Sequence, residues 1–133
     1  MTRVLLDTSA YVAFLRGHPD VVAAVRCCDE IHVTPVVLGE LLAGFRRGTR
    51  RRKNEEELCL FLSSSRVRVT GIDRQTADRY ASIVEHLWRR GRPIPTNDVW
   101  IAATAMQHGL RVLATDKHFC DVEEVIVDYF ESR

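Results

Sequence analysis

Apolar and polar positions along this chain fall into short runs that switch repeatedly between strand and helix periodicity. Arg3-Val4-Leu5-Leu6 predicts a short buried strand, because an unbroken apolar run suits a strand covered on both faces. Thr8 or Ser9 can cap a helix through residues 11–15, and Gly17-His18-Pro19 breaks it. Pro19 opens a second helix through Val21, Val22 and Val25. Residues 31–34 predict a strand, and Thr34-Pro35 caps and opens a helix over residues 36–45. A charged helix runs from Arg50 to Leu62, and residues 67–70 alternate like a strand. Asp73 caps a long helix on which Ala77, Tyr80, Ala81, Val84, Leu87 and Trp88 recur at helical spacing. After a loop over residues 91–95, Thr96 or Asn97 caps a helix from Asp98 to His108, which Gly109 ends. A strand over 111–115, a turn or short helical piece over 116–119 and a last strand over 125–127 complete the pattern.

Strands separated by helices imply crossover connections and a mainly parallel sheet covered on both faces, the α/β class. In such sheets ligands sit outside the carboxyl ends of the strands. Asp7 directly follows the first strand and Asp116 the fourth, so both fall at that edge. Asp98 begins a helix. Glu40 lies inside Val36-Val37-Leu38-Gly39-Glu40-Leu41-Leu42-Ala43, with no other charge in the run. Its helical neighbours Val36, Val37, Ala43 and Gly44 offer it no basic partner, and an unpaired desolvated carboxylate costs several kcal/mol. Carboxylates crowded together raise each other's pKa, and a divalent cation removes that penalty. Oxygen donors select hard ions, so Mg²⁺ or Mn²⁺ is expected. No histidine is needed, and His118 is expected at the surface or behind the ligands. Thr8, Ser9, Asn97 and Thr115 flank the acids and can hydrogen-bond carboxylates or water, although as caps they need no such role.

The 133-residue length fits one domain, residues 1–133. Hydrophobic residues at 46% and charged residues at 28% exclude a disordered or collagen-like chain. No apolar run reaches the roughly 18–20 residues of a membrane span, and the first residues lack the apolar core of a signal peptide, so a cytoplasmic protein is expected. Cys27, Cys28, Cys59 and Cys120 form no C-x-x-C pair and are expected as free thiols packed in the core. A net charge of +1 gives no bulk attraction to nucleic acid, so local basic clusters matter more: Arg46-Arg47, Arg50-Arg51-Arg52-Lys53 and Arg89-Arg90 with Arg92. A carboxylate-held cation suits phosphodiester hydrolysis. The chain has no P-loop and no G-x-S-x-G, which argues against nucleoside triphosphate hydrolysis and acyl transfer.

Leu5-Leu6-Asp7-Thr8-Ser9, Thr34-Pro35-Val36-Val37-Leu38-Gly39-Glu40-Leu41, Pro95-Thr96-Asn97-Asp98-Val99-Trp100-Ile101-Ala102-Ala103 and Leu113-Ala114-Thr115-Asp116-Lys117-His118-Phe119, in this order, resemble the PIN domain, and more narrowly the VapC-type toxins of toxin–antitoxin pairs. The resemblance covers nearly the whole chain. It implies a three-layer α/β/α sandwich and a Mg²⁺- or Mn²⁺-dependent ribonuclease that leaves 5′-phosphate and 3′-hydroxyl ends. Asp7, Glu40, Asp98 and Asp116 match the family's acidic quartet, with Asp7 and Asp98 where the metal is held most directly. Thr8, with Ser9 beside it, and Thr115 match polar positions next to the first and last acids, and Asp121 matches an extra acid loosely. The RNA would be held through phosphates, for which Arg46, Arg47, Arg50, Arg51 and Arg52 are candidates. The family also implies a small VapB-like antitoxin, in a hetero-oligomer or beside a toxin homodimer. Phe14, Leu15, Val21, Val22, Val25 and Leu58, with Phe61 and Leu62, are candidates to line its groove.

Three other readings compete. A non-catalytic PIN-like RNA- or protein-binding module would not need all four acids. A phosphoacceptor receiver domain wants an acidic pair after its first strand, where this chain has Asp7-Thr8-Ser9. A DNA-acting structure-specific nuclease of the wider fold would carry extra DNA-gripping segments.

Overall fold

Among the described residues, five strands order the chain: β1 (Arg3–Leu6), β2 (Glu30–Val33), β3 (Val67–Val69), β4 (Arg111–Ala114) and β5 (Val127–Tyr129). They form one sheet in the order β3-β2-β1-β4-β5, with every pairing parallel. The structure is a computed structural model that describes residues 1–132. Its helices are α1 (Thr8–Leu15), α2 (Pro19–Arg26), α3 (Pro35–Arg47), α4 (Arg51–Leu62), α5 (Arg74–Arg89) and α6 (Thr96–His108), with a short 3-10 helix at Lys117–Asp121.

Strand side chains alternate between two cores. Leu5, Val112 and Ala114 pack with Val37 and Leu41 of α3, Ile83 and Leu87 of α5, and the apolar face of α6. Val4, Leu6, Ile31, Val33 and Leu113 pack on the other side with Ala10, Val21 and Val25 from α1 and α2. Both faces are therefore covered, which makes three layers and explains the unbroken apolar strand runs. Each fully covered Leu or Val stabilises the fold by about 1.5–3 kcal/mol relative to exposure. None of the helices among the described residues is long and apolar enough to cross a membrane.

Several local expectations need correction. Neither Thr8 nor Ser9 caps α1. Asp7 does, its carboxylate accepting from the Ala10 amide at 2.7 Å. Neither Thr96 nor Asn97 caps α6, because both already lie in its first turn behind Pro95, and no side chain bonds that end. The last strand lies two residues later than the apolar run 125–127 suggests. Val127 is the residue that pairs with Val112, while Ile126 is exposed. An edge strand has one neighbour, so its apolar pattern fixes register weakly. Of the cysteines only Cys28 is buried; Cys27, Cys59 and Cys120 are exposed, and all four are free thiols.

Gly109 ends α6 in the left-handed region at φ +65°, and the Leu110 amide closes the turn on the Ala105 carbonyl at 2.9 Å. An added Cβ there would meet nothing within 4 Å, so the cost of a side chain is conformational alone. Gly109→Ala is expected to destabilise the protein by about 1–2 kcal/mol, read as a lowered urea midpoint at unchanged m-value.

Candidate metal site at the sheet edge

The strand order reverses at β1, with β2 and β3 on one side and β4 and β5 on the other. That switch point opens a crevice at the carboxyl ends of β1 and β4. Asp7 enters it directly from β1, and Thr115-Asp116 enter directly from β4. The first turn of α6 brings Asp98, and the middle of α3 brings Glu40. All four acids line one cleft of about 550 Å³ together with Thr8, Ser9 and Thr115.

Asp7 is the most enclosed of the four, 3% exposed. Ser9 Oγ lies 2.8 and 2.7 Å from its two oxygens and donates to them. Ser9 Oγ in turn accepts the Thr115 amide at 3.0 Å, which ties the ends of β1 and β4 together. Burial pushes the Asp7 carboxyl up from 3.8 to about 6 in spite of these bonds, and the charges of Asp98 and Asp116 add to the rise. Asp98 is also raised, first by burial and then by Asp116 and Glu40, against the lowering effect of His118. Glu40 is half-buried and has the partner its own helix could not supply: Thr8 Oγ1 donates to it at 2.8 Å.

His118 stands close to the acids. Its Nδ1 lies 3.0 Å from Asp98 Oδ2 and 3.0 Å from Asp116 Oδ1. In the tautomer with its proton on Nδ1 the ring donates toward these carboxylates. The His118 amide also donates to Asp116 Oδ1 at 2.9 Å, because Asp116 caps the 3-10 helix that carries His118. The exposed ring fits the expectation of a residue at the surface or behind the ligands, and its Nδ1 is also close enough to the acids to be a ligand itself. The turn after Asp116 folds the ring back over the acids, and the spacing Asp116-x-His118 is the signal that pointed there.

Other candidates lie elsewhere. Asn97 is exposed on α6 and does not line the cleft. Thr115 contributes its backbone amide. Asp121 pairs with Arg92 at 3.2 Å. Arg51 and Arg52 pair with Glu55 and Glu56, four residues on. Arg46 and Arg47 are exposed in the last turn of α3, where cations complement the helix dipole. Arg50 faces a second cavity next to the cleft. Of the apolar positions suggested for a partner groove, Val21, Val25 and Leu58 are core, while Leu15 is exposed.

The donor set fits a hard divalent cation. Ligand atoms of Asp98, Asp116 and His118 lie within 4.8 Å of one another, and Asp7 is near enough for their charges to raise its pKa. Burial and mutual repulsion leave these carboxylates poorly compensated, which a cation would correct.

Fold and site together define an α/β/α protein whose acidic cleft, at a parallel sheet's switch point, suits phosphate chemistry. The sequence signature of the PIN domain matches residues 4–125. Ribonuclease VapC4 of Mycobacterium tuberculosis is 32% identical over 127 residues, covering 94% of this chain and 95% of the relative. The crystal structure of VapBC2 from Rickettsia felis, bound to a promoter DNA fragment, superposes with TM-score 0.85 at 22% identity, covering 96% of this chain and 98% of that one. VapBC-5 from Mycobacterium tuberculosis, a member of the VapBC family of toxin–antitoxin systems, superposes with TM-score 0.76 at 25% identity, covering 99% and 100%. The chain belongs to the PIN domain family, and within it to the VapC group of ribonucleases.

Proposed function

We propose that this chain is a single nuclease domain over residues 1–133, a Mg²⁺- or Mn²⁺-dependent endoribonuclease of the cytoplasm and the toxin of a toxin–antitoxin pair. The observation that carries the reading is the meeting of Asp7, Glu40, Asp98 and Asp116, from four separate segments, in one cleft. Family membership supplies the ribonuclease class, and the VapBC resemblance supports a small VapB-like antitoxin as partner in a hetero-oligomer.

Asp98 and Asp116 would hold the cation, with the Asp7 carboxylate beside them and His118 at the mouth. When bound, a divalent cation neutralises phosphate charge and makes water more acidic. Ser9 and the Ala10 amide orient Asp7, so this carboxylate needs no reorganisation to receive positive charge. Thr8 orients Glu40, leaving its other oxygen free to accept a proton from attacking water. Arg16 and His18 also line the cleft, and the positive charge of Arg16 suits a substrate phosphate.

Purified protein is expected to cleave single-stranded RNA with Mg²⁺ or Mn²⁺, to stop on chelation, and to leave DNA of the same sequence intact. Cleavage that persists in EDTA, or DNA cut as fast as RNA, would overturn the proposal.

A further inference from the structure

We infer that the cavity adjoining the acidic cleft is a nucleobase subsite that takes a guanine next to the cleaved phosphate; this inference rests on the ribonuclease reading. The cavity measures about 540 Å³, within the range of small-ligand pockets. It shares Thr8, Val12, Arg16 and Glu40 with the cleft, so one RNA strand can reach both.

Helix α4 and its leading residue set Arg50, Lys53, Asn54 and Glu57 against the cavity. Their spacing, i, i+3, i+4 and i+7, is that of one helical face. Arg51 and Arg52, one step round the helix, are occupied by Glu55 and Glu56. Among the described residues no ion pair or side-chain hydrogen bond engages the four that face the cavity. Across from them, Tyr11 of α1 lines the same space. It is fully buried, and among the described residues its hydroxyl has no hydrogen-bond partner. Burial and the nearby Glu57 charge raise that hydroxyl to about 12, so it stays a donor. A buried hydroxyl without a partner is costly, and the Glu57 charge is near enough to act on it.

Guanine matches this set. One carboxylate accepts its N1–H and N2–H together, while lysine, arginine and amide donors suit O6 and N7. Adenine would turn an acceptor, N1, toward Glu57. Cytosine offers Glu57 a single amino group. Val12, Leu15, Leu41 and Phe45 form the apolar wall of the same cavity, against which the face of a base can pack, whereas an apolar partner helix would leave the polar side unpaired. Exposed single-stranded bases are the form in which proteins read RNA by the Watson–Crick edge.

The test is a titration of the ¹⁵N-labelled protein with guanosine, adenosine and cytidine 5′-monophosphates, followed at the Asn54 side-chain amide and the Tyr11 backbone amide. Saturable shifts at both are expected with the guanosine nucleotide, about tenfold weaker with the others. Glu57→Gln is expected to bring the three within about twofold of each other, and Asn54→Ala to weaken the guanosine nucleotide several-fold. Equal affinities for the three nucleotides, shifts confined to the acidic cleft, or discrimination that survives both variants would overturn the inference. So would filling of the cavity by an antitoxin peptide while no nucleotide shifts it. RNA cleavage without guanine preference would overturn this subsite and leave the ribonuclease reading standing. Guanine-selective binding without any RNA cleavage would do the reverse.

Discussion

Asp7→Asn is expected to lower RNA cleavage by on the order of a thousandfold and at the same time to stabilise the cation-free protein at neutral pH. Asparagine keeps an oxygen for the Ala10 amide and the Ser9 hydroxyl but carries no charge. In the cation-free wild type the Asp7 carboxyl is raised from 3.8 to about 6, so folding favours its protonated form. The stability this contributes is complete below pH 3.8 and is lost as pH rises through 6. The loss amounts to ~3 kcal/mol for a group this buried. Urea unfolding in EDTA should show the variant and the wild type nearly equal at pH 4 and the variant ahead by most of that amount at pH 7. Asp98 is raised in the same direction, so Asp98→Asn should behave alike with a smaller gain. A difference that does not change with pH would mean that Asp7 is not strained by its surroundings.

Saturation with Mn²⁺ is expected to close that gap. A ligand that binds only the folded state, present at a hundred times its Kd, adds ~2.7 kcal/mol, which for a domain of this size raises Tm by several degrees. The gain should be full at pH 7, fade by pH 5, below the value of about 6 at which Asp7 takes up its proton, and be absent in Asp7→Asn and Asp98→Asn. Tm measured against Mn²⁺ concentration at both pH values checks this. An equal rise in all three proteins would place the bound ion outside the cleft.

Much of this site could be read along the chain because the acids sit at breaks in strong patterns. Asp7 and Asp116 follow apolar strands directly, and Glu40 interrupts an apolar helix without a partner on its own face. Both signals are local, and parallel topology turns them into a place. What escaped the sequence depended on contacts between distant segments. Thr8 reaches Glu40 across 32 positions, and Ser9 meets the Thr115 amide across 106. Asn97 is a residue type that suits a cap, but Pro95 sets the start of α6 at Thr96, two residues before Asp98. His118 is marked in sequence only by its spacing from Asp116, and the 3-10 turn capped by Asp116 is what returns its ring to Asp98. In the basic stretch the i,i+4 spacing of Arg51 with Glu55 and Arg52 with Glu56 was visible throughout. It separates arginines already paired from Arg50, which faces the second cavity.

The most direct test of the four-acid cleft is an anomalous difference map from crystals grown with Mn²⁺. The account predicts a strong peak within coordination distance of Asp98 and Asp116 and beside Asp7, with His118 moved or joined to it. A peak elsewhere on the surface, or a cleft without one in protein that cleaves RNA in the same Mn²⁺ buffer, would contradict it.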